Sequence, residues 1–330
     1  MRAAIYDRLG SADVLHVVDL PRPEPAPGEV RVRVRVSAVN PTDWKARADG
    51  PGKTMPFPLV VPNQDGAGEI DAVGDGVDPS RIGQRVWVYF ASWRRQYGTA
   101  EEWVCLPEQQ AIPLADSASL QLGASLGIPA LTAHRALFWD GPLQGKIVLV
   151  AGGAGAVGHF AIELARRAGA RVITTVSSPE KAELARAADA DTVVDYRAED
   201  ATSAVRAAAP DGVDHIVEVA LDANLELDLR VLAPNGSVVT YAETGPDPAI
   251  PIRRLLRRNL TLRFMLIYTV PPAALRTAVA EVNAAVTAGD LTELPVIRYG
   301  STRSPKPTGQ WRAGRPARSL SSCERHTTTF

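Results

Sequence analysis

Residues 146–181 read KIVLVAGGAGAVGHFAIELARRAGARVITTVSSPEK. Ile147 to Val150 form a continuous apolar run, the pattern of a parallel strand covered on both faces. Gly153, Gly155 and Gly158 follow as GxGxxG, where that strand must turn into a helix. Glycine suits the place because the turn needs unusual backbone angles, its amides must approach a pyrophosphate closely, and the helix must pack tightly on the strand. The helix carries Val157, Ala161, Leu164 and Ala168 on one face, which frees its N-terminal amides and positive dipole end to point at phosphate. Gly153, Ala154, Gly155, Ala156, Val157 and Gly158 are the expected pyrophosphate cradle, and a purely structural glycine turn is the competing reading.

The second strand, Arg171 to Val176, selects between the two nicotinamide cofactors. An acidic residue at its end would hold a ribose hydroxyl and repel a 2′-phosphate. Ser177 and Ser178 stand there instead, with Lys181 one turn later, and these hydroxyls and this cation favour NADPH. Ser178 also suits a helix cap ahead of Pro179, and Lys181 a solvated surface charge; both roles are compatible with phosphate binding.

With 330 residues and 45% hydrophobic content the chain can bury two cores. Its N-terminus, MRAAIYDRLG, lacks the regions of a signal peptide, and no segment has the apolar length of a membrane span, so a cytoplasmic protein is expected. Cys105 and Cys323 are too few for a structural zinc cluster or a disulfide framework. Charge is uneven. Residues 300–330 hold Arg303, Lys306, Arg312, Arg315, Arg318 and Arg325 against Glu324 alone, a net +5, so residues 1–299 carry −6 of the total −1. A body of that sign has no electrostatic reason to bind nucleic acid.

Glu29 to Val39, EVRVRVRVSAV, alternates valine with arginine and predicts a half-buried antiparallel strand in a glycine-punctuated β domain. The domain boundary falls near Leu126 to Ala133. Beyond the glycine turn, strands at Thr192–Tyr196, Val213–Val219, Ser237–Tyr241 and Leu262–Ile267 alternate with helical stretches, which predicts a doubly wound sheet. Pro271 to Ala288 reads as one amphipathic helix stopped by Gly289.

The segments VNPTDWKAR (39–47), NQDGAGEIDAVGDGV (63–77), GIPALTAHRAL (127–137), AGGAGAVG (151–158) and VDYRAED (194–200) occur together and in order. Through them the chain resembles the zinc-independent quinone oxidoreductases, the zeta-crystallin-like branch of the medium-chain dehydrogenase/reductase superfamily, over about residues 1–299. The resemblance implies an α/β fold: a doubly wound Rossmann NADPH-binding domain (127–267) and a GroES-like β-rich catalytic domain (1–126), with 268–299 a helix returning to the catalytic domain. It implies hydride delivery from NADPH to a small-molecule quinone or α,β-unsaturated carbonyl in the cleft between domains, in a homodimer with no nucleic-acid or membrane partner. An enoyl-thioester reductase of the same fold and a non-catalytic NADPH-binding protein are the alternatives.

The zinc-bearing alcohol dehydrogenases place a cysteine before a Thr-Asp pair, where this chain has Asn40 ahead of Pro41, Thr42 and Asp43; their Gly-His-Glu is here Asn63, Gln64 and Asp65. Neither thiolate nor imidazole remains at these positions, so no catalytic metal is expected. By motif position Asn40 is the expected contact to the nicotinamide or the substrate carbonyl, or else an Asn-Pro turn residue. Thr132 matches the nicotinamide side, Tyr196 joins Ser177 and Lys181 around the adenosine phosphate, and Ala220, Tyr241, Phe264 and Met265 match segments lining the rest of the cofactor. Trp93, Arg94, Arg95 and Tyr97 form an aromatic and basic cluster that suits either a substrate rim or an ordinary surface loop.

From Gly300 the text GSTRSPKPTGQWRAGRPARSLSSCERHTTTF has neither hydrophobic period nor strand pattern and reads as a disordered tail. Codons for Gly300 to Glu324 can be chosen that, shifted by one base, read LDEIAEAHRAVESGPTGKVVVVV and then stop. That hidden text restores the helix, Gly-Lys turn and final apolar strand that the resemblance implies, and it points to a frameshift. A genuine basic tail is the competing reading.

Overall fold

The computed structural model describes residues 1–198, 200–300 and 325–329. The chain divides into two compact units: one holds Met1–Ile128 and resumes at Glu293, and the other holds Pro129–Thr292.

The second unit is built on a six-stranded parallel sheet. Across the sheet the strands run Thr192–Asp195, Arg171–Val176, Ile147–Ala151, Val213–Glu218, Leu232–Thr240 and Thr261–Phe264. In chain order this is 3-2-1-4-5-6, with the reversal beside Ile147–Ala151, the place where doubly wound sheets open a ligand crevice. The apolar run foreseen from the sequence is explained by burial on both faces: Val148, Leu149 and Val150 are all enclosed. Leu149, Ile173, Ile216 and Val238 join the packed core under the helices, each contributing about 1.5–3 kcal/mol by leaving water.

The helix Pro272–Ala288 ends at Gly289, whose φ of 78° is the left-handed stop that glycine adopts without strain. Its location corrects an expectation. Instead of returning to the first domain, it stays in the second unit and packs on Leu131–Leu137, with Glu281 2.6 Å from His134 Nε2. An apolar stripe of Ala278, Val279, Val282, Ala285 and Val286 needs an apolar partner, and the Leu131–Leu137 helix supplies it; the chain crosses back only after Thr292.

In the first unit Glu29–Val39 is central to an antiparallel sheet, paired with Asp65–Val73 on one side and with Trp103–Pro107 at its start. Val30, Val32 and Val34 point into a core with Ile70, Val86, Val88, Val104 and Leu106, as the alternation predicts. Arg31 departs from it: the side chain is buried, held by Asp71 at 2.8 Å and Glu24 at 2.9 Å. The tail also departs in part. Residues 301–324 and 330 lie outside the described residues, but Arg325–Thr329 is a strand, antiparallel to 36–39 and parallel to Val296–Gly300. An open strand edge offers backbone donors and acceptors that an extended segment can satisfy whatever its side chains.

Glu101, 1% exposed and bridged to Ala3, has an enclosed Oε2 without a partner, and burial pushes its carboxyl up from 4.5 to about 9. Between those values the unfolded chain has released a proton that the folded chain keeps, so stability falls as pH rises through the window. Glu101→Gln is expected to remove that slope and raise Tm by about 5 °C at pH 8 while changing it little at pH 5. Melting both proteins at both pH values is the check, and equal Tm at pH 8 refutes it.

Candidate cofactor and reaction site

Apart from Asn40 and Thr132, the residues expected at a cofactor lie at or just beyond the carboxyl ends of the parallel strands. Ile147–Ala151 ends in Gly152, whose φ of 73° makes it the left-handed residue of the turn, one position ahead of the fingerprint that the sequence pattern singled out. Gly153 and Gly158 answer to close approach: a Cβ on Gly153 would lie 2.1 Å from Thr174 Oγ1, and one on Gly158 would lie 2.3 Å from the Gly152 carbonyl oxygen. Ala154 lies between them in the turn. Gly155 is the N-cap of Ala156–Arg167 and brings no side-chain oxygen, so the first amides of that helix, at Ala156, Val157 and Gly158, meet no capping side chain. An anion would satisfy them, while Gly153 and Gly158 let the turn pack closely on Thr174 and on the Gly152 carbonyl.

At the end of Arg171–Val176, Ser177 is buried and its Oγ accepts from Lys181 Nζ at 3.0 Å. Ser178 caps Pro179–Ala187, accepting the Lys181 amide, so the capping role foreseen for it is real. Tyr196 N–H donates to the Val176 carbonyl, which brings this half-exposed residue to the same strand end as Ser177. Arg197 follows and was not singled out from the sequence. Burial first, and then the Arg197 charge, pull the Lys181 ammonium below the ordinary lysine range, so two cations share this end of the sheet. The signal was present in VDYRAED, where the residue after Tyr196 is basic.

Ala220, Tyr241, Phe264 and Met265 follow or close the strands on the other side of the reversal, with Tyr241 N–H on the Glu218 carbonyl and Met265 N–H on that of Thr240. Phe264 is 66% exposed and Met265 is buried. The Ala220 backbone N–H donates to Glu218 Oε1, and Asn224 Nδ2 donates to the same oxygen at 3.0 Å. Glu218 and Asp228 form a buried carboxyl pair under this loop; burial raises both, and the neighbouring Glu218 charge raises Asp228 further. Thr132 lies in the helix Leu131–Leu137, and its enclosed Oγ1 has no hydrogen-bond partner.

In the first unit, Asn40 is 5% exposed and is the N-cap of Pro41–Arg47, so the turn role foreseen as its alternative is realised. Its backbone N–H donates to Asp43 Oδ2 at 2.6 Å and its Nδ2 to Asp65 Oδ2 at 2.8 Å. Burial raises the Asp43 carboxyl to about 7 and holds Asp65 well above the usual carboxylate range. Neither acid was singled out from the sequence as a site residue, although both stand in the quoted motifs.

Two family models match: an alcohol dehydrogenase GroES-like domain over residues 26–116 and a zinc-binding dehydrogenase over 156–284. A quinone oxidoreductase of Rattus norvegicus is 32% identical over 248 residues, spanning 74% of each chain. This chain belongs to the quinone oxidoreductase branch of the medium-chain dehydrogenase/reductase superfamily. A mycobacterial relative solved with NADPH superposes with a TM-score of 0.82 at 25% identity, covering all of both chains. A Pseudomonas syringae quinone oxidoreductase does so equally well, over 100% of this chain and 99% of its own. In this quinone oxidoreductase homologue, no group of three or more His, Cys, Asp or Glu side chains among the described residues is placed to hold a metal ion. Arg95, from the aromatic and basic cluster, is tied to Glu29 at 2.7 Å and to the Cys105 carbonyl, Arg94 lies over Trp93 at 5.5 Å, and Tyr97 is half-exposed.

Proposed function

We propose that the chain is an NADPH-dependent oxidoreductase that reduces a small quinone or an α,β-unsaturated carbonyl without a metal. The observation that carries this reading is the pairing of a glycine cradle with Ser177, Lys181 and Arg197 at one edge of the sheet. A part-buried lysine with a second, exposed cation near enough to lower its pKa is suited to a phosphate dianion. The amides of 153–158 would hold the pyrophosphate, Ser177, Ser178, Lys181 and Tyr196 the adenosine 2′-phosphate end, and Ala220, Tyr241, Phe264 and Met265 the remainder. Thr132 Oγ1, enclosed and unpartnered, suits a polar group of the nicotinamide.

When bound, the reduced nicotinamide supplies hydride. The chain's own part is alignment: an acceptor with a conjugated carbonyl already spreads the incoming charge, and the Asn40 carboxamide, its Nδ2 end taken up by Asp65, can hold a donor group of nicotinamide or acceptor through Oδ1. The proton can then come from water. Leu266, exposed just past the edge strand Thr261–Phe264, suits pairing with a second copy, which sedimentation at twice the chain mass checks.

The test is an NADPH-oxidation screen over quinones, enones and enoyl thioesters, with and without a zinc chelator. Turnover of a quinone or an enone, unchanged by the chelator, is the expected result. Turnover confined to thioesters reassigns the acceptor, and a folded chain that does not bind NADPH refutes the reading.

A further inference from the structure

We propose that Asp65 is a positioning residue of the reaction: it fixes which end of the Asn40 carboxamide faces the acceptor and ties that choice to the turn at 126–130. The inference rests on the reading of Asn40 as the group that meets acceptor or nicotinamide. The oxygen and nitrogen ends of an amide are nearly the same size, so only hydrogen bonding decides its orientation. Asp65 Oδ2 favours the Nδ2 end, which donates to it at 2.8 Å, and Asp43 also bonds this side chain.

The same oxygen accepts the Ile128 amide at 2.8 Å, a link across 63 residues. Ile128 lies in the π-helical turn Leu126–Ala130, which contains Pro129, and it is the last residue of the first unit before the chain enters the second. Turns of this kind leave backbone groups in need of outside partners, and they occur often at functional sites. Gly127 makes room for the arrangement, since a Cβ there would lie 2.1 Å from Asp65 Oδ1. Oδ1 is fully enclosed and has no partner.

A buried carboxyl with an orphan oxygen is a poor way to stabilise a core, and an apolar side chain of similar volume would serve better. Orientation of Asn40 is what the carboxyl adds. Burial, opposed by the Ile128 and Asn40 hydrogen bonds and reinforced by Asp43, raises the carboxyl well above the usual carboxylate range. In the protonated form the proton belongs on Oδ1, since Oδ2 already accepts from Asn40 and Ile128. Asparagine at this position would therefore keep the accepting oxygen and put NH2 where the hydroxyl stands.

The test uses the full chain with Asp65→Val, Asp65→Asn, Asn40→Ala and the Asn40→Ala/Asp65→Val double variant. Asp65→Val is expected to lower kcat by at least about tenfold while the NADPH Kd stays within about twofold, and Asp65→Asn to recover most of the loss. In the Asn40→Ala background the valine costs nothing further, the signature of one residue acting through another. The Asn40 side-chain amide signals in a 15N–1H spectrum, assigned by their absence in Asn40→Ala, should resist exchange in wild type and Asp65→Asn and exchange freely in Asp65→Val. Gly127→Ala, which keeps every carboxyl but drives a methyl group at Oδ1, reads the same way if Asp65→Val does not fold. A folded Asp65→Val with wild-type kcat, fully additive losses, or unchanged Asn40 amide signals would overturn the proposal. A wild type that neither binds nor oxidises NADPH defeats the proposed function instead, and the amide signals still decide whether Asp65 holds Asn40.

Discussion

Lys181→Glu is expected to weaken NADPH binding by about 100-fold and to leave NADH binding within about threefold, so that the cofactor preference inverts. Lys181 Nζ sits 3.0 Å from Ser177 Oγ at the end of Arg171–Val176, and its charge lies close enough to Arg197 to be disfavoured by it. A charge-assisted bond to phosphate is worth about 1.5–3 kcal/mol, and a carboxylate in its place adds repulsion against a dianion. The same carboxylate can accept a ribose hydroxyl of NADH, which is why that affinity is retained. Lys181→Ala separates the two effects: it removes the cation without adding a repeller and should fall between wild type and Lys181→Glu. Fluorescence titration with both nucleotides decides the matter, and an unchanged ratio of the two affinities in Lys181→Glu removes the argument for NADPH.

Most of the second unit was legible in the sequence because its signals are local. A covered strand is an apolar run, a close turn is glycine, and a capped helix begins with Ser178 and Pro179; each needs only neighbours in the chain. The strand ends shifted by a few residues, as at Leu232–Thr240, where pairing begins earlier than the apolar pattern. What stayed hidden depends on distance. Asn40 and Asp65 are 25 residues apart and Asp65 and Ile128 are 63 apart, so no periodicity could show that one carboxyl serves both. Arg197 escaped notice for a related reason: its value lies in standing beside Lys181, across a strand pairing in which Asp195 opposes Val176. Helix Pro272–Ala288 was identified as a helix from its period, yet the period states only that one face is apolar and not which partner covers it.

The second large effect concerns the C-terminus. A chain in which residues 300–330 are replaced by LDEIAEAHRAVESGPTGKVVVVV is expected to melt about 5–10 °C higher than the chain as written, to be more soluble and to turn over NADPH faster. The segment that pairs with Val36–Val39 is Arg325–Thr329, RHTTT, and only its backbone can serve the sheet as well as a valine run would. Two or three valines directed into the core contribute about 1.5 kcal/mol each or more, an upper figure that a compact unfolded state reduces. The hidden text adds a helix-period apolar stripe ahead of that strand, a face able to cover apolar surface. A frameshift predicts both halves of this change together, because a single base shift restores helix and strand in one step. Melting curves and NADPH turnover of the two chains test the physical consequence, and the codons for Gly300 to Glu324 test the cause. Equal Tm and turnover in both chains would show that the RHTTT strand suffices for the sheet, and codons that do not spell the hidden text would show that the basic tail belongs to the protein.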